Sequence, residues 1–469
     1  MPDAERISWP LRVERWLAPR LTRRFYVGVA CLLFGYWAVS FDQQGILEGV
    51  PKNLPGDEPD YDCIACQLRC SGSYAVDYHD AAFLGPYERD GCLERTPGYS
   101  NNVSGSRAGP TAYRPPLLPY VMALTYRGDV RHRQFEFVRL LNLLAAAATA
   151  GIVGWCVRAG VGATASLASL ALICHLGGLQ KFAALLLTES LCGLFVTAVW
   201  AVMARLTPRR PVASGALAGL IWAAAVLTRS SLVFWVPAVA LGLALIARTA
   251  SPGRPRASWG RAAGAAGCYA AVVGLGFLPW GLRNCAVLGA FMPLGCQGYI
   301  ELPSGFSDAA LRNKGVWAPL PATMAPRPEA SVPDRERAMA EQGRAAAVGW
   351  IRANPGELPT LTVNKIWSEW KPRSTTMAFV LFAAAVGMAC HRGTPFGWAC
   401  LAVVAGDTLM IGLTWSVEGR FTYPAVAAHY GLAGAGCWAL LRLATDLRGP
   451  ARQPPREPRA LAAFAPPAG

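Results

Sequence analysis

Acidic side chains crowd the pentapeptide Asp57-Glu58-Pro59-Asp60-Tyr61, in a polar stretch that follows the first apolar run. Such carboxylates are ill suited to hydrocarbon but can sit at a membrane surface and do chemistry there. The same stretch later carries Tyr113-Arg114-Pro115-Pro116. Further charges fall at the ends of apolar runs: Thr188-Glu189, Arg229 in Leu227-Thr228-Arg229-Ser230-Ser231, Arg283 in Pro279-Trp280-Gly281-Leu282-Arg283-Asn284, and Glu418-Gly419-Arg420. A charge within a span costs roughly 2.5–3.5 kcal/mol on insertion scales and is as a rule paired or functional. Several at one depth predict a shared polar cavity.

Each position also has a plainer reading. Arg229 could snorkel to the interface. Arg283-Asn284 could be a charge favoured by a helix C-terminus. Glu418 and Arg420 could pair locally at a turn, and Glu189 could be a first-turn helix acid capped by Thr188. Asp57 and Glu58 could be ordinary loop residues. Trp317, Trp350, Trp367 and Trp370 read most simply as interfacial anchors.

The elements that must position these groups are apolar. The 469 residues are 53% hydrophobic and 16% charged, against about 25% charged in an ordinary soluble domain. Runs of roughly 17 to 22 apolar residues suffice to cross about 30 Å of hydrocarbon. They fall near 25–41, 137–157, 164–180, 188–206, 212–228, 231–248, 262–280, 375–390, 397–415 and 424–443, about ten in all. Leu117 to Tyr126 is too short to span and reads as a juxtamembrane or re-entrant helix. The expected class is an all-α polytopic membrane protein.

Basic residues cluster at Arg12–Arg24, Arg158, Arg205–Arg210, Arg248–Arg261, His391-Arg392 and from Arg442 onward. With Leu117–Tyr126 not crossing, the positive-inside rule places all of these in the cytosol. The first run is then a retained span, and two large stretches, 42–136 and 281–374, lie outside. The net charge of +15 is a topology signal here, so no nucleic-acid partner is expected. The tail 448–469, rich in Pro, Arg and Ala, is expected to be disordered in the cytosol.

Of fourteen cysteines, most fall in apolar runs and read as small buried side chains. Cys63-x2-Cys66-x3-Cys70 has metal-like spacing but no completing fourth ligand. An outer location favours disulfides among Cys63, Cys66, Cys70 and Cys92, with no pairing assignable.

The ordered set Asp57-Glu58-x-x-Tyr61-x-x-Ile64, Arg114-Pro115-Pro116-Leu117, Arg139-Leu140-Leu141-Asn142, Thr188-Glu189, Leu227-Thr228-Arg229, Pro279-Trp280-x-x-Arg283-Asn284 and Glu418-Gly419-Arg420-Phe421 before Pro424 resembles the GT-C glycosyltransferases. It is most similar to the branch holding the aminoarabinose transferases, protein O-mannosyltransferases and RgtA-like enzymes. The resemblance covers residues from about 25 to 445 and implies one GT-C-like domain over 1–447. It implies a polyprenyl-phosphate sugar donor, a lipid, glycan or protein acceptor, and inverting transfer on the extracytoplasmic side of a bacterial inner membrane. Asp57 would be the general base. Glu58, Tyr61, Arg114, Glu189, Arg229, Arg283 and Arg420 would bind substrates, with Arg229, Arg283 and Arg420 on the phosphate. Glu189 would orient a substrate or share a divalent cation (Mg or Mn) with Asp57, the metal being left open. Arg114 stands where the aminoarabinose branch has lysine, which leaves the sugar unassigned. The other readings are a lipid-linked sugar flippase, disfavoured by the lack of an evident repeat, and a non-catalytic subunit of the same fold.

Overall fold

The computed structural model describes residues 9–51, 56–95, 107–126, 128–176, 178–207, 209–249, 258–320, 324 and 330–448. The expected disordered tail lies outside these residues, as does most of the basic stretch between Arg248 and Arg261.

All ten apolar runs are helical. They form α1 (Arg23–Gln43), α4 (Glu136–Gly160), α5 (Ala163–Leu176), α6 (Glu189–Arg205), α7 (Pro211–Thr228), a 3-10 turn with α8 (Ser230–Trp235, Val236–Arg248), α9 (Trp259–Leu288), α12 (Thr375–His391), α13 (Pro395–Leu413) and α14 (Val426–Arg448). Between them lie α2 (Asp57–Ser71), α3 (Leu117–Thr125), α10 (Val332–Ala353) and α11 (Leu358–Trp370). Among the described residues six helices are long and apolar enough to cross a membrane, or seven if the pair Pro355–Trp370 and Thr375–His391, bent by 108°, counts as one span. The remaining runs, α5, α6 and α14, fall outside that length-and-hydropathy set; α5 has only 14 residues and α6 only 17. The chain is thus an all-α polytopic membrane protein, with one two-stranded sheet among the described residues, Ala75–Val76 antiparallel to Gly109–Pro110.

Close backbone approach binds the helices. Gly387 of α12 faces the Leu432 backbone and Gly436 of α14 faces that of Ala383, leaving no room for a Cβ at either position. Small residues permit such packing where lipid supplies no hydrophobic drive between helices. The main core joins the spans through Trp200, Trp222 and Trp235, all fully buried.

The stretch between α1 and α4 is a folded layer rather than an open loop. Its core is aromatic, built on Tyr78, Phe83, Tyr87, Tyr126 and Phe135 around α2. Inside it Asp62 accepts from Tyr87 Oη (2.7 Å), Tyr126 Oη (2.5 Å) and Arg133 Nε (2.8 Å), and also from Arg133 Nη2. Both partners of this ion pair are fully buried. Since a buried charge is tolerated only when paired and hydrogen-bonded, the pair fixes α2 against Arg133. The expected disulfides do not form: Cys63, Cys66, Cys70 and Cys92 are free. Three of them lie on the single helix α2, with Cys63 and Cys66 facing its packed side, and Cys92 Sγ instead donates to Asp90 at 3.0 Å.

The seventh run also ends later than expected. Helix α9 continues past Trp280 to Leu288 and stops at Gly289, which has φ +60°. Pro279 is carried inside it, a tolerated feature of apolar helices. Gly after the last turn is the ordinary stop signal. Arg283 and Asn284 therefore sit on a helix and not in a loop. Leu117–Thr125 forms a nine-residue helix, too short to span, as expected.

Candidate active site

Asp57, Glu58 and Asp60 occupy the first turn of α2, after the extended Gly56. The unpaired N–H groups of a helix start favour anions there. Arg114 reaches this turn from the segment that follows the small sheet. Its Nη2 donates to Asp57 Oδ1 at 2.7 Å, and its Nε and Nη2 donate to Asp60 Oδ2 at 3.0 and 2.6 Å. Tyr74 Oη donates to the carbonyls of Arg114 and Pro115 at 2.8 and 3.1 Å, fixing the backbone from which Arg114 extends.

Arg420 arrives from the other end of the chain and donates to Asp57 Oδ2 at 3.1 Å. Its Nε donates to Glu189 Oε1, and Arg229 Nη1 donates to the same oxygen at 3.1 Å. Glu189 is fully buried at the start of α6, and its Oε2 has no hydrogen-bond partner. Thr188 makes no side-chain cap there. Arg420 also makes no pair with Glu418; that residue takes a left-handed φ of +55°, followed by Gly419 at +97°, which turns the chain so that Arg420 faces Asp57.

Asp57, Tyr61, Arg114, Arg229 and Arg420 line one cavity of about 420 Å³, whose wall also carries apolar groups such as Phe234, Leu413 and Trp415 and the polar Ser230, Ser231 and Gln297. The Asp57 side chain is 37% exposed and Arg420 is 31% exposed. Burial alone would raise the Asp57 carboxyl, but the Arg114 and Arg420 guanidiniums outweigh it and hold the group well below the usual carboxylate range. Burial pushes the Tyr61 hydroxyl up to about 12, so it stays protonated at neutral pH.

Arg420 also lines a second cavity, of about 540 Å³. Lys181, Arg373 and Glu418 line it, together with His429 and the apolar Val380.

Two expected substrate ligands lie elsewhere. Arg283 donates to the carbonyls of Thr111 and Tyr74, the latter at 2.9 Å, and packs against the Tyr74 and Trp280 rings. Its position three residues past Trp280 on a continuing helix turns it toward that backbone and away from the cavity. Glu58 accepts from Leu186 N at 2.7 Å; one position along the helix from Asp57, it faces another side. With Arg139, which donates to the carbonyls of Leu47, Gly49 and Ala184, and Asn142, which donates to Leu185, it holds the chain leading to Glu189.

Asp60 was the site residue least distinguished by sequence, although it receives two of Arg114's donors. Its spacing offered a signal: positions 57 and 60 share a helix face. A divalent cation does not fit the donor set. Both Asp57 oxygens face guanidiniums, and only Glu189 Oε2 is uncommitted, flanked by Arg229 and Arg420. No group of three His, Cys, Asp or Glu that could hold a metal occurs among the described residues.

No family model matches the chain, and no curated protein is similar to it. Solved structures of similar fold include the archaeal oligosaccharyltransferase AglB from Archaeoglobus fulgidus in complex with an inhibitory peptide and a dolichol-phosphate, at 14% identity and TM-score 0.48 over 92% of this chain. Another is ArnT from Cupriavidus metallidurans bound to undecaprenyl phosphate, at 16% identity and TM-score 0.38 over 90% of this chain. The chain spans 52% of the AglB chain and 78% of the ArnT chain.

Proposed function

We propose that this protein is a GT-C-type membrane glycosyltransferase that moves a sugar from a polyprenyl phosphate to an acceptor hydroxyl, with Asp57 as general base. The observation that carries the reading is the meeting of Asp57 with Arg114, Arg229 and Arg420 in one cavity, from four distant parts of the sequence. The ordered motif set that resembles this family contributes the same residues.

The acceptor hydroxyl gives its proton to the Asp57 carboxylate as its oxygen bonds to the anomeric carbon. The bond from that carbon to the phosphate oxygen breaks on the opposite face, so the configuration inverts. The leaving polyprenyl phosphate carries the negative charge, and Arg229 and Arg420 are the cations beside it. A carboxylate gripped by two guanidiniums is a weak base. A phosphate that draws Arg420 away would remove one of those cations from Asp57 and add an anion nearby, and both changes raise its proton affinity. Donor arrival thereby readies the base.

The acceptor is a lipid, glycan or protein hydroxyl, and the site faces the extracytoplasmic side of a bacterial inner membrane. The test is to incubate membranes containing the protein with a panel of labelled polyprenyl-phosphate sugars and to identify the labelled product. Transfer by the wild type and none by Asp57→Asn is the expected result; equal labelling by both would overturn the reading.

A further inference from the structure

Two fully buried glutamates of the second outer stretch lie outside the cavity, yet each grips backbone beside an arginine of Asp57. Glu369, near the end of α11, accepts from Phe421 N at 2.6 Å through Oε1, and from Val417 N at 2.9 Å and Ser416 Oγ at 2.7 Å through Oε2. These groups bracket Arg420. Glu336, on α10, accepts from Ala112 N at 2.8 Å and from Thr111 Oγ1 and Cys296 Sγ. Thr111 and Ala112 lie just ahead of Arg114.

Both gripped segments lie outside any helix. The turn between Val417 and Phe421 includes Glu418 at φ +55°, a conformation that a residue with a side chain keeps only where its surroundings hold it. A carboxylate suits that task because it accepts several converging donors through two oxygens. A glutamine offers one accepting oxygen and sets N–H groups against N–H groups.

We propose that Glu336 and Glu369 are positioning residues, through which the second outer stretch sets the two guanidiniums on Asp57: Glu336 by fixing the segment of Arg114, Glu369 by fixing the turn of Arg420. The geometric part stands alone; the effect on turnover rests on the transferase reading.

The experiment has two arms, on purified full-length protein in detergent or nanodiscs. Hydrogen–deuterium exchange reads the geometry without any substrate. Glu369→Gln should speed exchange over 416–421 at least tenfold and leave 109–114 unchanged; Glu336→Gln should do the reverse. Glu369→Asp, which keeps the charge, should loosen 416–421 less. Unchanged protection at Val417 and Phe421 in Glu369→Gln would overturn the proposal, as would equal loosening of both segments by either variant.

The second arm is a double-mutant cycle on polyprenyl-phosphate affinity and sugar transfer. Coupled residues depart from additivity by about 0.5–3 kcal/mol, roughly a twofold to hundredfold factor. Glu369→Gln should therefore weaken donor binding about tenfold with Arg420 present and less than twofold in an Arg420→Ala background. The same fold-loss in both backgrounds would mean a general structural role and would overturn the coupling to Arg420. Were the wild type to neither bind nor transfer any donor, the transferase reading would fall and the exchange arm would decide the positioning alone.

Discussion

Arg420 donates to Asp57 at 3.1 Å across 363 positions of sequence, joining the turn between α13 and α14 to the first turn of α2. Through its Nε on Glu189 the same side chain also connects two carboxylates that make no direct bond. Asp57 is thus an anion with two cationic neighbours, and this arrangement governs how variants should behave.

Replacing Asp57 with asparagine removes the proton acceptor while nearly preserving shape. Transfer should fall by at least about 10²–10⁴, the usual contribution of a general base. Membrane insertion and the melting temperature should stay close to wild type. Product analysis in a purified assay, beside a thermal melt, checks both halves.

Arg229→Ala and Arg283→Ala should part company. Arg229 lines the cavity, so its loss should cost about 1.5–3 kcal/mol of donor binding, read as a rise of roughly tenfold or more in donor KM with acceptor KM unchanged. Arg283 holds the Tyr74 and Thr111 carbonyls behind Arg114. Its loss should lower kcat and stability while donor KM holds. A donor KM that rises equally in both variants would return Arg283 to the phosphate.

Much of this was legible in the sequence, and the boundary has a physical basis. Asp57 stands out in a crowd of acids, and Glu189, Arg229 and Arg420 stand out because charge at the end of an apolar run is costly and so conspicuous. Arg283 stands out for the same reason, yet it serves backbone carbonyls; end-of-run position does not tell which way a helix face points. Ten apolar runs gave ten helices because hydropathy reports burial in lipid or core. Asp62, Arg133, Glu336 and Glu369 passed unnoticed because they lie in polar stretches where charge is ordinary, and only the folded layer reveals them as buried. Glu369, between Trp367-Ser368 and Trp370, offered one hint: an acid with tryptophans on both sides.

The Asp62–Arg133 pair should be the most fragile point of the layer around α2. Breaking one member of a buried pair costs about 3–5 kcal/mol, so Arg133→Met alone should lower the melting temperature sharply. Pairing it with Asp62→Leu should recover much of that loss, since the orphaned charge goes too. A melt of the single and double variants decides this.

Glu336 gives a pH dependence of defined sign. Burial pushes its carboxyl from 4.5 up to about 7, with the bonds from Thr111, Ala112 and Cys296 opposing in part. The folded protein therefore binds more protons than the unfolded chain between those values. This contribution to stability is full below about 4.5 and is lost as pH rises through about 7. At roughly 1.4 kcal/mol per unit the total is about 3 kcal/mol. Glu336→Gln should remove that part of the slope in a denaturation series from pH 5 to 8.

One side chain is common to two chambers, because Arg420 lines both the hollow of Asp57 and that of Lys181 and Arg373. A solute that pulls the guanidinium toward its own side alters the neighbouring compartment without entering it. Binding free energies are reciprocal, so each occupant must change the other's affinity by the same factor. An inhibitor seated beside Lys181 would then fail to compete for space with the donor, and saturating donor would weaken it only by that shared factor.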